Sequence, residues 1–231
     1  EKFEQQNFAS ILQPLLMDSV RLVRISSAQA LNSQTYEYLE ELAMNSDFAS
    51  GQYHIAINHE MNKRFLLAKA AYEKSLRIDN YFNASRMNLA LLVYKQGNAD
   101  QAEKLYLKVI EQEPDFGESY YMLGLLNNEK GNTELALSYM KTASEKQTAN
   151  YKPFYNYALM LQAKGDIKSS VTIINKGLEI YPYNEQLLYV KLTTELNQKE
   201  YPKAKKTMVL LLQIDPNNQN YAQIAQQLKN K

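Results

Sequence analysis

Lys95-Gln96-Gly97-Asn98, Glu129-Lys130-Gly131-Asn132 and Ala163-Lys164-Gly165-Asp166 are variants of one phrase, with their glycines at a constant interval of 34 residues. Apolar residues at helical spacing precede each glycine, and a second helical run follows it. A glycine between two helices reaches positive φ without a Cβ penalty, so each phrase predicts the turn of an antiparallel helix pair.

The interval holds at other positions. Five residues after each glycine stands a small residue, Ala102, Ala136 or Ser170, and the register extends outward to Ala68 and Ala204. A large apolar slot follows at Tyr72, Tyr106, Met140, Ile174 and Met208. Pro114, Pro182 and Pro216 then close the second helix, because proline cannot continue one; Asn80 and Thr148 hold the equivalent places.

A period of 34 with this small, large and proline spacing resembles the tetratricopeptide repeat. In that register the chain divides into five repeats, 49–82, 83–116, 117–150, 151–184 and 185–218. Leu89-Ala90 and Leu123-Gly124 match the family's Leu-Gly pair in the first helix. The sequence departs from the pattern at Lys63 and Lys199, which stand where the turn glycine is expected, and at Gly177, in a slot usually held by Ala. The resemblance implies an all-α fold, a right-handed superhelical α-solenoid of stacked antiparallel helix pairs. Residues 219–231 read as a capping helix with Tyr221, Ile224, Ala225 and Leu228 on its inner face.

Upstream of residue 49 the register fails. Helical patterns run over 8–16, over about 20–31 and over 35–45. Asp18, the pair Val23-Arg24 and the small residues Ala28 and Ala30 make residues 1–48 similar to a HEAT repeat. A HEAT-like unit followed by tetratricopeptide repeats resembles the C-terminal region of bacterial multihaem cytochrome c-type proteins. No haem-binding residue is carried over, because the chain contains no Cys. The first residue is Glu and no signal-peptide pattern follows, which predicts a processed chain or a piece of a longer one.

Composition limits the function. The 231 residues are 45% hydrophobic and 22% charged, as in a folded protein. With 26 basic and 25 acidic residues the net charge is +1, so the excess that neutralises nucleic-acid phosphates is missing. No apolar run is long enough to span a bilayer. The absence of Cys removes disulfides, thiolate metal sites and a Cys nucleophile. His54 and His59 lie five apart, outside the spacing that puts two imidazoles on one metal. No phosphate-binding glycine loop, nucleophile elbow or nucleophile–base pair is present, so no catalytic residue, metal or cofactor is expected.

What remains is a binding surface. The family's groove positions carry over to the fifth residue of each repeat, Tyr53, Met87, Tyr121, Tyr155 and Tyr189, and to the ninth, Ile57, Leu91, Leu125, Leu159 and Thr193. One helical turn separates the two rows, so they share a face. Tyr94, Lys95, Glu118, Asn128, Glu129, Lys152, Asn156 and Gln162 are polar neighbours. The chain has 18 Tyr and no Trp, and Tyr joins a large contact area to a hydrogen-bonding tip. Either this ladder grips an extended or helical segment of a partner, or its rings pack mainly on one another. Asn88, Lys152 and Asn156 do not fall in the order needed to clamp a C-terminal carboxylate.

The sequence thus predicts a non-catalytic scaffold that binds a protein or peptide, with no nucleic acid and no membrane insertion. The alternative is an assembly domain of a larger multihaem cytochrome c-type or other enzyme, acting on upstream domains of its own parent chain. The cytochrome-type resemblance implies a periplasmic or cell-envelope location; without it the expectation is cytoplasmic.

Overall fold

The computed structural model describes residues 48–146, 150–229 and 231, with isolated positions between 11 and 27. The HEAT-like reading of 1–48, including the helix over 35–45, falls outside the described residues apart from those positions, as does the Thr148 slot. The described elements are helices. They fall into two units, Glu1–Gln112 and Glu113–Lys231.

In the first unit, α1 (Ala49–Met61) packs on α2 (Phe65–Ile78), α2 on α3 (Asn83–Lys95), and α3 on α4 (Ala99–Gln112). In the second, α5 (Gly117–Glu129) pairs with α6 (Thr133–Glu145), α7 (Lys152–Ala163) with α8 (Ile167–Ile180), and α9 (Glu185–Asn197) with α10 (Tyr201–Ile214). The helix α11 (Gln219–Lys229) packs on α10. This is an all-α repeat solenoid.

The turns explain why the pairs form. Gly97, Gly131 and Gly165 have φ of 85°, 79° and 86°. Lys63 and Lys199, in the same slot, also turn left-handed, each at φ 59°. In each turn a backbone N–H returns to a carbonyl of the first helix, as Asn98 N to Val93 O at 2.9 Å and Glu200 N to Glu195 O at 2.8 Å. The lysines therefore copy the glycine's conformation and carry its steric cost. Asx side chains then start helices: Asp166 accepts from Ser169 N at 3.0 Å and Asn184 from Leu187 N at 3.0 Å.

The small and large slots form the core. Ala68, Ala102, Ala136, Ser170 and Ala204 have no exposed surface, and Tyr72, Tyr106, Met140, Ile174 and Met208 are at most 2% exposed. Gly177 shows why its slot departs from Ala. A Cβ there would stand 2.9 Å from Phe154 Cβ and 3.0 Å from Leu187 Cδ1, so α7, α8 and α9 converge on one missing methyl. At the C-terminal end, Tyr221 and Leu228 of α11 close over Leu188, Met208 and Leu211, with Ile224 and Ala225 packed against them.

Two internal polar clusters belong to the first unit. Ser85 donates to Ser75 Oγ at 2.7 Å, and Ser75 donates to the Ala49 carbonyl at 2.7 Å. Arg86 is buried and holds the α2–α3 loop through the Asn80 carbonyl, the Asn80 side chain at 2.9 Å and Asn83 Oδ1. Asn83 and Ser85 are both buried.

Candidate tyrosine-lined binding site

The row of fifth-position residues divides into two kinds. In the first unit the Asn88 amide donates to the Tyr53 hydroxyl at 3.4 Å, and Tyr53 packs edge-on against Phe82 with ring centroids 5.6 Å apart. In the second unit the Asn156 amide donates to the Tyr121 hydroxyl at 2.9 Å. Tyr121 is 6% exposed and sits with Met140 and Ala143 under Tyr157 and Met160. Burial, with the Glu118 carboxylate nearby, raises its pKa above the usual phenol value. Tyr53 and Tyr121 are therefore rungs between consecutive first helices, α1 to α3 and α5 to α7. Tyr121, expected to face a partner, is a core residue instead.

Tyr155 and Tyr189 belong to the other kind. The residue 35 beyond Tyr155 is Val190, which offers no amide for such a rung. Both tyrosines line a cavity of about 400 Å³ together with Glu185 and Gln186 of α9 and Asn218, Asn220 and Tyr221 around the start of α11. Tyr189 is 36% exposed, and its ring centroid lies 6.1 Å from that of Tyr221. The Tyr221 hydroxyl donates to Glu185 Oε1 at 2.6 Å, which ties α11 to the start of α9. Burial and the Glu185 carboxylate both push the Tyr221 phenol up. Asn218 caps α11 by accepting from Asn220 N and Tyr221 N at 3.1 and 3.3 Å.

The other expected site residues are distributed as follows. Leu125 and Leu159 are half-buried against the second unit's core clusters, and Ile57, Met87, Leu91 and Tyr94 are half-buried in the first unit. Asn128 and Lys152 are exposed. Gln162, placed by sequence beside the groove, donates inward to Ser170 Oγ at 3.1 Å and Thr194 Oγ1 at 2.9 Å. Asn88 and Asn156, the amides considered for a carboxylate clamp, instead donate to tyrosine hydroxyls. Glu185, Asn218 and Tyr221 were not legible as a site, because the first turn of α11 reaches α9 only through tertiary packing.

A separate cavity of about 270 Å³ opens between α8, α9 and α10, lined by Glu195, Lys191, Lys203, Lys206 and Thr207 among others. Glu195 is 5% exposed, and Thr207 Oγ1 donates to its Oε2 at 2.8 Å. Among the described residues no group of His, Asp and Glu is arranged to hold a metal ion, and no helix is long and apolar enough to cross a membrane.

Family models of the tetratricopeptide repeat match residues 84–116 and 105–138. Within residues 84–138 this chain carries the tetratricopeptide repeat. Solved structures share its fold. Yeast Tom70 superposes with a TM-score of 0.70 at 17% identity, covering 90% of this chain and 47% of Tom70. Pseudomonas aeruginosa PilF gives 0.64 at 16% identity, covering 83% and 85%. YrrB, a tetratricopeptide-repeat protein with an unusual peptide-binding site, gives 0.56 at 18% identity, covering 84% and 98%. In sequence, the human protein O-mannosyl-transferase TMTC3 is 26% identical over 186 residues, which is 78% of this chain and 20% of TMTC3. The chain thus spans about one fifth of that relative's length.

Proposed function

We propose that the protein is a non-catalytic interaction module that seats an extended or helical segment of a partner protein along the first helices of its repeats, with the principal contacts at Tyr155 and Tyr189. One observation carries the reading. These two tyrosines line a cavity of about 400 Å³, whereas Tyr53 and Tyr121 are bound internally through Asn88 and Asn156. Large amphipathic rings at a concave site are what interface cores use. The peptide-binding site of YrrB supports the analogy. In this reading five repeats span 49–218, and 219–231 both caps the last one and completes the site.

A second reading is that the module serves a larger chain. The match to one fifth of TMTC3 favours it, since there the corresponding stretch belongs to a protein named as a transferase. The HEAT-like assignment of residues 1–48 and the cytochrome-type order rest on the sequence resemblance alone.

The test is affinity capture followed by mass spectrometry, comparing wild type with Tyr155→Ala/Tyr189→Ala. A partner held by wild type and lost by the folded variant is the expected result. Equal capture by both would move the binding surface elsewhere.

A further inference from the structure

The tyrosine-lined cavity is acidic in a chain whose net charge is +1. Glu185 is its one charged lining residue, and no Lys or Arg lines it. Among the described residues the Glu185 carboxylate has no basic partner; its hydrogen bond comes from the Tyr221 hydroxyl and occupies Oε1 only. A carboxylate accepts at about four lone-pair sites, so Glu185 keeps capacity for a donor arriving from outside. Lys152, one turn from Tyr155, is exposed and does not line the cavity. Asp215, which accepts from Asn218 at 3.2 Å, adds to the negative potential at Tyr221.

Aromatic rings attract cations through their quadrupole, over a ring face and within about 6 Å of its centroid. Tyr189 and Tyr221, 6.1 Å apart, with Tyr155 lining the same cavity and Glu185 beside them, combine both attractions. We infer that this cavity receives a basic side chain, the ammonium of a Lys or the guanidinium of an Arg, projecting from the bound segment of the partner. The aliphatic stem would lie against the rings and the charged head would meet Glu185. This inference rests on the reading of the site as a partner-binding groove and adds the chemistry of one anchor.

The probes are five acetylated and amidated pentapeptides, Ala-Ala-X-Ala-Ala, with X as Lys, Arg, norleucine, Gln or Glu. They are titrated at millimolar concentration into protein carrying ring-labelled tyrosine, followed by NMR. The Tyr155, Tyr189 and Tyr221 signals are assigned with single Tyr→Phe variants. The expected result is a saturable shift of these signals with Lys and Arg, at least about fivefold tighter than norleucine, and none with Glu. Glu185→Gln should remove the preference for Lys over norleucine. It keeps an acceptor for Tyr221, and an unchanged melting transition would show that the fold is intact. Equal shifts with norleucine would overturn the cation assignment and leave the groove reading standing. No shift with any peptide would also overturn it, while the capture experiment decides the groove independently.

Discussion

The Asn156 amide lies 2.9 Å from the Tyr121 hydroxyl, 35 residues earlier in the chain, and Asn88 stands in the same relation to Tyr53 at 3.4 Å. Each pair joins the first helix of one repeat to the first helix of the next. The relation is one repeat plus one residue, so it needs Tyr at the fifth position and Asn at the sixth. Where the second partner is Val190, the preceding Tyr155 is left to line a cavity.

Removing the rung should cost stability without touching binding. Tyr121→Phe leaves the Asn156 amide, half-buried, without its acceptor, and the expected loss is about 1 kcal/mol in denaturant unfolding. Asn156→Ala should cost a similar amount. The double variant should cost less than the two single losses added, because the second change removes a bond already broken. Partner capture should survive Tyr121→Phe and fail with Tyr155→Ala/Tyr189→Ala. Loss of capture in both would return Tyr121 to the binding surface.

The left-handed turns make an opposed pair of predictions. A Cβ at Gly131 would meet nothing within 4 Å, so Gly131→Ala tests the backbone alone. At φ 79° it should lose about 1 kcal/mol. Lys199 already sits at φ 59°, and Lys199→Gly relieves that conformation while adding freedom to the unfolded chain. The expected gain is smaller than the loss at Gly131, about 0.5 kcal/mol. Paired thermal melts check the signs.

Gly124 and Gly177, both inside helices, should respond differently to an added methyl. At Gly124 an added Cβ would lie 2.9 Å from Met140 Cε, 3.0 Å from its Cγ and 3.1 Å from its Sδ, all atoms of one flexible side chain that must repack. At Gly177 it would meet Phe154 Cβ at 2.9 Å, an atom fixed to the α7 backbone. Gly177→Ala should therefore destabilise by about 1–3 kcal/mol through overpacking. Gly124→Ala should fall nearer to neutral, since Ala gains about 1 kcal/mol of helix propensity over Gly. Urea unfolding of the two variants, compared side by side, gives the order.

How far the sequence reaches is visible in these same residues. The interval of 34 between Gly97, Gly131 and Gly165 appears in the structure as three positive φ values, and even the lysine substitutes obey it. The small and large slots appear as buried core. Local turn chemistry and packing periodicity fix those features, and both are written within one repeat. The ladder was less legible. Five residues on one row look equivalent, but Tyr121 is 6% exposed and Tyr189 is 36% exposed. Tyr121 is bonded by Asn156, 35 residues on, whereas Tyr189 lies beside Tyr221 of a cap helix that reaches Glu185. Both are contacts between repeats, which periodicity within a repeat does not encode.

The last prediction concerns pH. Glu195 is buried under Thr207, and burial holds its carboxyl above the ordinary value of 4.5, opposed by the Thr207 hydrogen bond and by Lys191 and Lys203. A carboxyl with a raised folded-state pKa binds its proton more tightly in the native chain than in the unfolded one. Its stabilising contribution is therefore complete below the unfolded value and is lost as pH rises through the folded value. Gln cannot titrate, and its side-chain carbonyl still accepts from Thr207. Glu195→Gln should thus be more stable than wild type at neutral pH, with the difference shrinking as pH falls toward 4.5. Denaturant unfolding of both proteins across that range measures the gap. A gap that stayed constant with pH would mean that Glu195 titrates alike in the folded and unfolded chain. A gap that widened toward acid would mean that the lysines outweigh burial.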